Sequence, residues 1–261
     1  MEENLTEMLT HVEKREDFYF KRDDDFEIYN AKGGKARSAY QIITNALHNG
    51  ASSFTTAGSR FSPQCEIVSN LCEGLGLQAH LFMPNGKATS ITDNIQLNKN
   101  SLIHRTKVGY NSVICSYAKK FASENNSFYI PFGMECVENI EITKHQVRNI
   151  PKEVKRIIVP CGSGMSMISI IKGLEYYKMF DKEVVGVVVG KNPKQNFAKF
   201  ISQSLYDECN VKYTFVYSLL KYDERPKVTS FCGVDLDPIY ESKCIPFLEK
   251  GDLLWVVGKR N

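Results

Sequence analysis

The chain has 261 residues, of which 43% are hydrophobic and 24% charged, an ordinary globular balance that excludes disorder as its main state. Its 33 basic and 30 acidic side chains leave a formal charge of +3, which excludes nucleic-acid or membrane binding by overall charge alone. No apolar run approaches the roughly 18 residues of a membrane span, and the acidic, polar start MEENLTEMLTHVEKRED is not the pattern of a signal peptide.

The first predicted element in chain order is a helix from Lys35 to His48. Ala36, Ala39, Tyr40, Ile43 and Leu47 fall in phase along it, and Gly50 lies just past its end. Ser53–Ala57 reads as a short strand. A helix over 62–75 follows, with Ser62 as N-cap, Pro63 at the first helical position, and Ile67, Val68, Leu71, Cys72 and Leu75 on one face. Gly74 and Gly76 end it, and Gln78 to Met83 returns as a strand. Residues 85–128 predict one more βα unit, helical over Val113 to Phe121. Arg156 to Pro160 is an apolar run typical of a buried parallel strand. The glycine turn Cys161-Gly162-Ser163-Gly164 leads into a helix from Met165 to Tyr177. Val184 to Val189 is the next strand, and Leu253 to Val257 the last. This order predicts an α/β protein with a mostly parallel sheet.

The eight cysteines form no CxxC pair, and neither they nor the five histidines show zinc spacing. Most of the cysteines are expected to be small core residues in a reducing, cytoplasmic compartment, with no structural metal.

Four segments carry chemistry. Gly162, Ser163, Gly164, Met165 and Ser166 join a buried strand to a helix, where backbone N–H groups and the helix dipole converge on one point. That suits a phosphate, although the run is neither a Walker loop nor a GxGxxG fingerprint; a ligand-free turn is the alternative. Gly33-Gly34-Lys35 places a lysine at a helix start. A cation is disfavoured there, which favours the neutral amine that Schiff-base chemistry requires; a plain surface lysine at a helix start is the alternative, and on this segment alone the stronger one. Gly58 to Gln64 is a second polar strand-to-helix turn, at the sheet edge where ligands bind. Asp237-Pro238-Ile239-Tyr240-Glu241 offers a tyrosine and a carboxylate as an acid/base pair, or simply a helix start.

In this order the four segments, with Lys21-Arg22-Asp23-Asp24-Asp25, resemble pyridoxal-phosphate enzymes of the tryptophan synthase β-like fold (fold type II). The closest likeness is to the 1-aminocyclopropane-1-carboxylate deaminase and D-cysteine desulfhydrase family, in a compact variant like those of some bacteriophages. The likeness covers roughly residues 20–86, 128–190 and 235–257. It implies two lobes of mostly parallel sheet with helices on both faces: residues 1–50 and 129–261 as a larger cofactor-binding lobe, and 51–128 as a smaller one. It also implies a homodimer.

Carried over residue by residue, the likeness implies that Lys35 bonds the aldehyde of pyridoxal 5′-phosphate and that Gly162, Ser163, Gly164, Met165 and Ser166 hold its phosphate. Ser62 then meets the substrate carboxylate, Tyr240 acts on the substrate, and Glu241 faces the pyridine nitrogen. Ser62-Pro63-Gln64 stands where the family has serine-asparagine-histidine, so Gln64 or Arg60 takes over the cofactor contact of the missing asparagine. Pro131-Phe132-Gly133-Met134 aligns with a segment near the active site.

The implied function is carbanion chemistry on a small amino acid, of the lyase or deaminase type, by β-elimination or deamination. A second reading keeps the cofactor but makes the substrate a nucleotide or modified DNA base bearing an amino-acid substituent. A third is a non-catalytic binding protein on the same scaffold.

Overall fold

The computed structural model describes residues 5–190, 192–201 and 209–258. In chain order its strands and α-helices are β1 (Val12–Arg15), β2 (Phe18–Arg22), β3 (Glu27–Ile28), β4 (Ala31–Lys32), α1 (Gly34–His48), β5 (Ser53–Ala57), α2 (Pro63–Gly74), β6 (Gln78–Pro84), α3 (Ser90–Leu97), β7 (Ser101–Thr106), α4 (Asn111–Glu124), β8 (Phe128–Ile130), α5 (Val137–Thr143), β9 (Arg156–Cys161), α6 (Met165–Tyr176), β10 (Glu183–Val188), α7 (Lys194–Phe200), β11 (Lys212–Tyr217), β12 (Ser230–Phe231), β13 (Val234–Asp235) and β14 (Leu253–Val256). The chain divides into two units. One comprises the described residues up to Phe26 and from Asn139 onward, and the other is Glu27–Glu138.

The first unit is built on a six-stranded sheet in the order β1-β2-β14-β9-β10-β11. β1 and β2 form an antiparallel hairpin; every other pairing is parallel. Side-chain alternation explains the apolar run of β9. Ile157, Val159 and Cys161 join the core that holds Met167, Ile170, Ile171 and Leu174 of α6. Ile158 turns to the opposite core, with Phe20, Val185, Val187, Leu254 and Val256. Both faces are therefore dry, and the carboxyl ends of β9 and β10 are left to present polar loops.

The second unit is a four-stranded parallel sheet in the order β7-β6-β5-β8. α1 and α2 pack against each other, and α4 lies on β5 and β6. Phe54, Leu71, Leu81, Met83 and Ile130 are fully buried in this unit.

The predicted elements at Lys35–His48, Ser53–Ala57, 62–75, Gln78–Met83, Arg156–Pro160, Met165–Tyr177, Val184–Val189 and Leu253–Val257 all form, each shifted by no more than a residue at an end. Three differences stand out. Residues 85–128 hold the expected βα unit as β7 and α4, with Val113 to Phe121 inside α4, and add a further helix, α3, before it. The division also differs from the expected lobes, because 27–50 and 129–138 fall in the second unit: α1 packs on α2, and β8 pairs with β5. Finally, Cys65, Cys72, Cys161 and Cys244 are buried core thiols, whereas Cys115, Cys136, Cys209 and Cys232 are only half-buried. Among the described residues no helix is long and apolar enough to cross a membrane, and no group of three or more His, Cys, Asp or Glu is placed to hold a metal ion.

Candidate active site

The first unit brings together Gly162, Ser163, Gly164, Met165, Ser166, Tyr240 and Glu241. β9 ends at Cys161, and the chain turns through Gly164, which has φ 85° and is the N-cap of α6. A side chain fits badly here: a Cβ on Gly164 would lie 2.8 Å from Pro193 Cβ and 3.1 Å from Phe197. The turn is braced from outside by Asn196 Nδ2, which donates to the Ser163 carbonyl at 2.9 Å. First-turn amides of a helix have no partner within the helix, so α6 offers them here, beside the half-buried Ser163 and Ser166.

Tyr240 lies against this turn. A Cβ on Gly162 would sit 3.2 Å from its ring and 3.2 Å from its hydroxyl. Asp237 sets the approach, its Oδ1 accepting from the backbone N–H of Ile239 at 2.8 Å and of Tyr240 at 3.0 Å. The Tyr240 hydroxyl donates to that of Tyr222 at 3.4 Å. The buried Lys243 holds the segment carrying Tyr222, donating to the carbonyls of Lys221 at 2.5 Å and Tyr222 at 3.0 Å.

Glu241 is 2% exposed. Its Oε1 accepts from the N–H of Val257 at 2.8 Å and of Gly258 at 3.3 Å, just past β14. Its Oε2 is buried with no hydrogen-bond partner among the described residues. Burial, and after it the neighbouring Asp237, push this carboxyl up to about 8, against the opposing pull of the two amides.

The second unit contains Lys35, Ser62 and Gln64. Gly33, with φ 87°, caps α1 and sets the half-buried Lys35 in its first turn, as the Gly-Gly-Lys sequence predicted. α1 packs on α2 and on the Phe132–Met134 turn. Ser62 caps α2, accepting from the Gln64 N–H at 3.5 Å, with Pro63 at the first helical position. Gln64 is 1% exposed. Its Nε2 donates to Thr56 Oγ1 and to the Pro131 carbonyl, both at 2.8 Å, and its Oε1 accepts from Gly133 N–H at 2.7 Å. Both amide hydrogens thus go to protein acceptors, and Gln64 ties α2 to β5 and to the 131–133 turn. Arg60, the other residue expected to replace the asparagine, donates to the Lys87 carbonyl at 2.7 Å and sits over the Phe61 ring.

Sequence reasoning missed Asn196 and Tyr222. Asn196 was within reach, since Asn192-Pro193 to Asn196 follows the strand beside the glycine turn. Tyr222 has no local signal, because a chain reversal brings it to Tyr240.

Solved structures share this fold. An ACC deaminase homologue superimposes with a TM-score of 0.77 at 18% identity, over 98% of this chain and 90% of that one. This chain has the tryptophan synthase β-like fold. The same fold appears in maize serine racemase, with a TM-score of 0.67 and 14% identity over 96% of this chain and 87% of that one. The processed form of threonine deaminase isoform 2 from Solanum lycopersicum gives 0.66 and 15% over 94% and 79%. No family model matches the chain. A curated relative, the O-seryl-dTMP PLP-dependent decarboxylase of Salmonella phage ViI, is 25% identical over 212 residues, covering 71% of this chain. The chain spans about half the length of that relative, 50%.

Proposed function

We propose that the chain is a pyridoxal 5′-phosphate-dependent enzyme that works at the α-carbon of an amino-acid group. The observation that carries this is Glu241 Oε2, a buried carboxyl oxygen without a partner in the described protein. An unpaired polar atom of this kind is costly, and a protonated ring nitrogen is a group that suits it. Two further features fit the cofactor. The Gly162–Ser166 turn suits a phosphate, and Lys35 brings a primary amine to a helix start. In this reading Gly162, Ser163, Gly164, Met165 and Ser166 hold the phosphate, Glu241 the pyridine nitrogen and Lys35 the aldehyde. Once held, the cofactor supplies an electron sink for negative charge at the substrate α-carbon.

The protein's own contributions follow from its groups. Ser62 Oγ and the first-turn amides of α2 bind the substrate carboxylate or its surroundings. Lys35 Nζ, as a neutral amine, accepts and returns a proton at the α-carbon. Tyr240 Oη, hydrogen-bonded to Tyr222, holds a proton for the departing or incoming group. Gln64 fixes the 131–133 turn, and both of its amide hydrogens are engaged.

One observation favours a nucleotide-borne amino acid over a free one. The relative that shares sequence over most of this chain is named for a seryl nucleotide. The proposed substrate is therefore an amino-acid substituent on a nucleotide, and the reaction breaks a bond at its α-carbon. Elimination or deamination of a free small amino acid is the competing reading, supported by neighbours such as threonine deaminase and diaminopropionate ammonia lyase. A cytoplasmic homodimer belongs to the same proposal.

The test is spectroscopic first. Added cofactor should give a visible absorption band, borohydride should fix its mass to the peptide containing Lys35, and Lys35→Ala should abolish both. A chain that takes up no cofactor is instead the non-catalytic binding protein. Release of carbon dioxide from a seryl nucleotide, against release of ammonia from free D-cysteine or threonine, then separates the two substrates.

A further inference from the structure

The overall charge of +3 hides a local imbalance in the second unit. Three loops leave the carboxyl ends of the adjacent strands β5, β6 and β7. They read Gly58-Ser59-Arg60-Phe61-Ser62, Asn85-Gly86-Lys87-Ala88-Thr89 and Lys107-Val108-Gly109-Tyr110-Asn111, and none contains an acidic residue. The structure ties them into one rim. Arg60 donates to the Lys87 carbonyl at 2.7 Å, Thr89 Oγ1 donates to the Arg60 carbonyl at 3.0 Å, and Asn85 N–H donates to the Thr106 carbonyl at 2.8 Å. The Arg60 guanidinium lies directly over Gly86, 2.4 Å from where a Cβ would stand. Strand spacing makes the rim about 10 Å wide from β5 to β7.

Two features coincide on this rim. Its cations are unpaired: among the described residues Arg60, Lys87, Arg105 and Lys107 make no ion pair. Large apolar groups are also exposed among the cations, with Phe61 at 58%, Val108 at 79% and Tyr110 at 85%. The nearest acidic side chains in sequence, Glu66 and Asp93, stand in the first turns of α2 and α3.

We propose that this rim docks a single strand of DNA, its cations following the phosphodiester backbone and Phe61 and Tyr110 stacking on bases. Unpaired cations interleaved with exposed rings are the pattern that single-stranded nucleic acid requires. The inference rests on the nucleotide-borne substrate proposed above and extends it, making the nucleotide part of a polymer rather than free. Ser62, the expected carboxylate contact, ends the first rim loop, so one loop would serve both the strand and its substituent.

The test uses the full chain and a fluorescein-labelled single-stranded oligodeoxynucleotide, with anisotropy read across a salt series. Four phosphate contacts predict a log–log salt slope of about −3. The triple variant Arg60→Ala, Lys87→Ala, Lys107→Ala should bind at least tenfold more weakly and lower the slope's magnitude by about 2. The control triple Lys155→Ala, Lys212→Ala, Lys250→Ala removes the same charge and should bind as the parent does. Circular dichroism checks that both variants fold. Equal loss in the two triples, no strand binding at physiological salt, or rim-dependent binding of dTMP without strand binding would each overturn the proposal. Cofactor absorption, measured on the same samples, keeps the two readings apart. A strand failure with the visible band intact removes only the docking inference, whereas absence of the band removes the enzyme reading itself.

Discussion

Gly133 and Gln64, 69 positions apart, meet through a 2.7 Å hydrogen bond from the glycine N–H to the glutamine side-chain carbonyl. This bond, with the two from Gln64 Nε2, leaves no amide hydrogen for a ligand. Gln64→Ala should therefore act on stability. It leaves a buried N–H and a buried carbonyl unsatisfied, a loss of about 2–4 kcal/mol. The check is urea denaturation, with a lower midpoint and an unchanged slope. A variant of parental stability that fails to take up cofactor would instead restore Gln64 as a direct ligand.

Gly50 and Gly164 have nearly the same φ, 86° and 85°, but different surroundings. Nothing lies within 4 Å of a Cβ on Gly50, whereas one on Gly164 meets Pro193 and Phe197. Gly50→Ala should cost only the backbone strain, about 1 kcal/mol. Gly164→Ala should cost about 2–4 kcal/mol, because overpacking is added. Thermal melts of the two variants make the comparison; equal shifts would mean that the neighbours of Gly164 yield freely.

Glu241 gives a pH signature. Its folded value, about 8, lies above its ordinary 4.5, so the folded protein keeps a proton that the unfolded chain releases. Stability of the cofactor-free protein should fall as pH rises from about 4.5 to about 8 and level off above that. Glu241→Gln should flatten this limb, since it keeps the neutral shape and cannot ionise. Melting temperatures across that range, compared between parent and variant, provide the check. Bound cofactor should flatten it too, by giving the carboxylate a cationic partner.

His80 and His104 predict the opposite slope elsewhere. Their rings share a 3.0 Å hydrogen bond, and His104 stacks on Phe82. Burial lowers both, and His80 is lowered further by His104. The unfolded chain takes up protons near the ordinary value of about 6.5, while the folded pair resists. Their contribution is present above that value and is lost as pH falls below it. His104→Gln should weaken the dependence between pH 7 and pH 5, as read by denaturant midpoints.

The legible part of the sequence was whatever rests on local periodicity and turn chemistry. Ser62-Pro63 announces α2, and Gly162 to Gly164 announces the start of α6, because caps and left-handed turns are decided within a few residues. β7 escaped placement within its expected βα unit because Ser-Leu-Ile-His-Arg-Thr, at the sheet's edge, lacks a clean apolar alternation. The β1–β2 hairpin escaped for a related reason, with charged Glu13, Lys14 and Arg15 on its outer strand. At the site, residue types were readable and commitments were not. Gln64 looks like a ligand in sequence, and only the positions of Thr56, Pro131 and Gly133 show what it holds. Tyr222 reaches Tyr240 across 18 residues, beyond any local pattern.

β14 pairs with β2 on one side and β9 on the other, so the strand made last occupies the middle of the six-stranded sheet. During synthesis that sheet must wait with a gap between β2 and β9 until residues 253–256 leave the ribosome. Glu27–Glu138 is a continuous stretch and can complete its own sheet well before then. Nascent chains halted short of residue 253 should thus hold a finished second unit beside an exposed apolar slot, the state in which a chaperone has most to do.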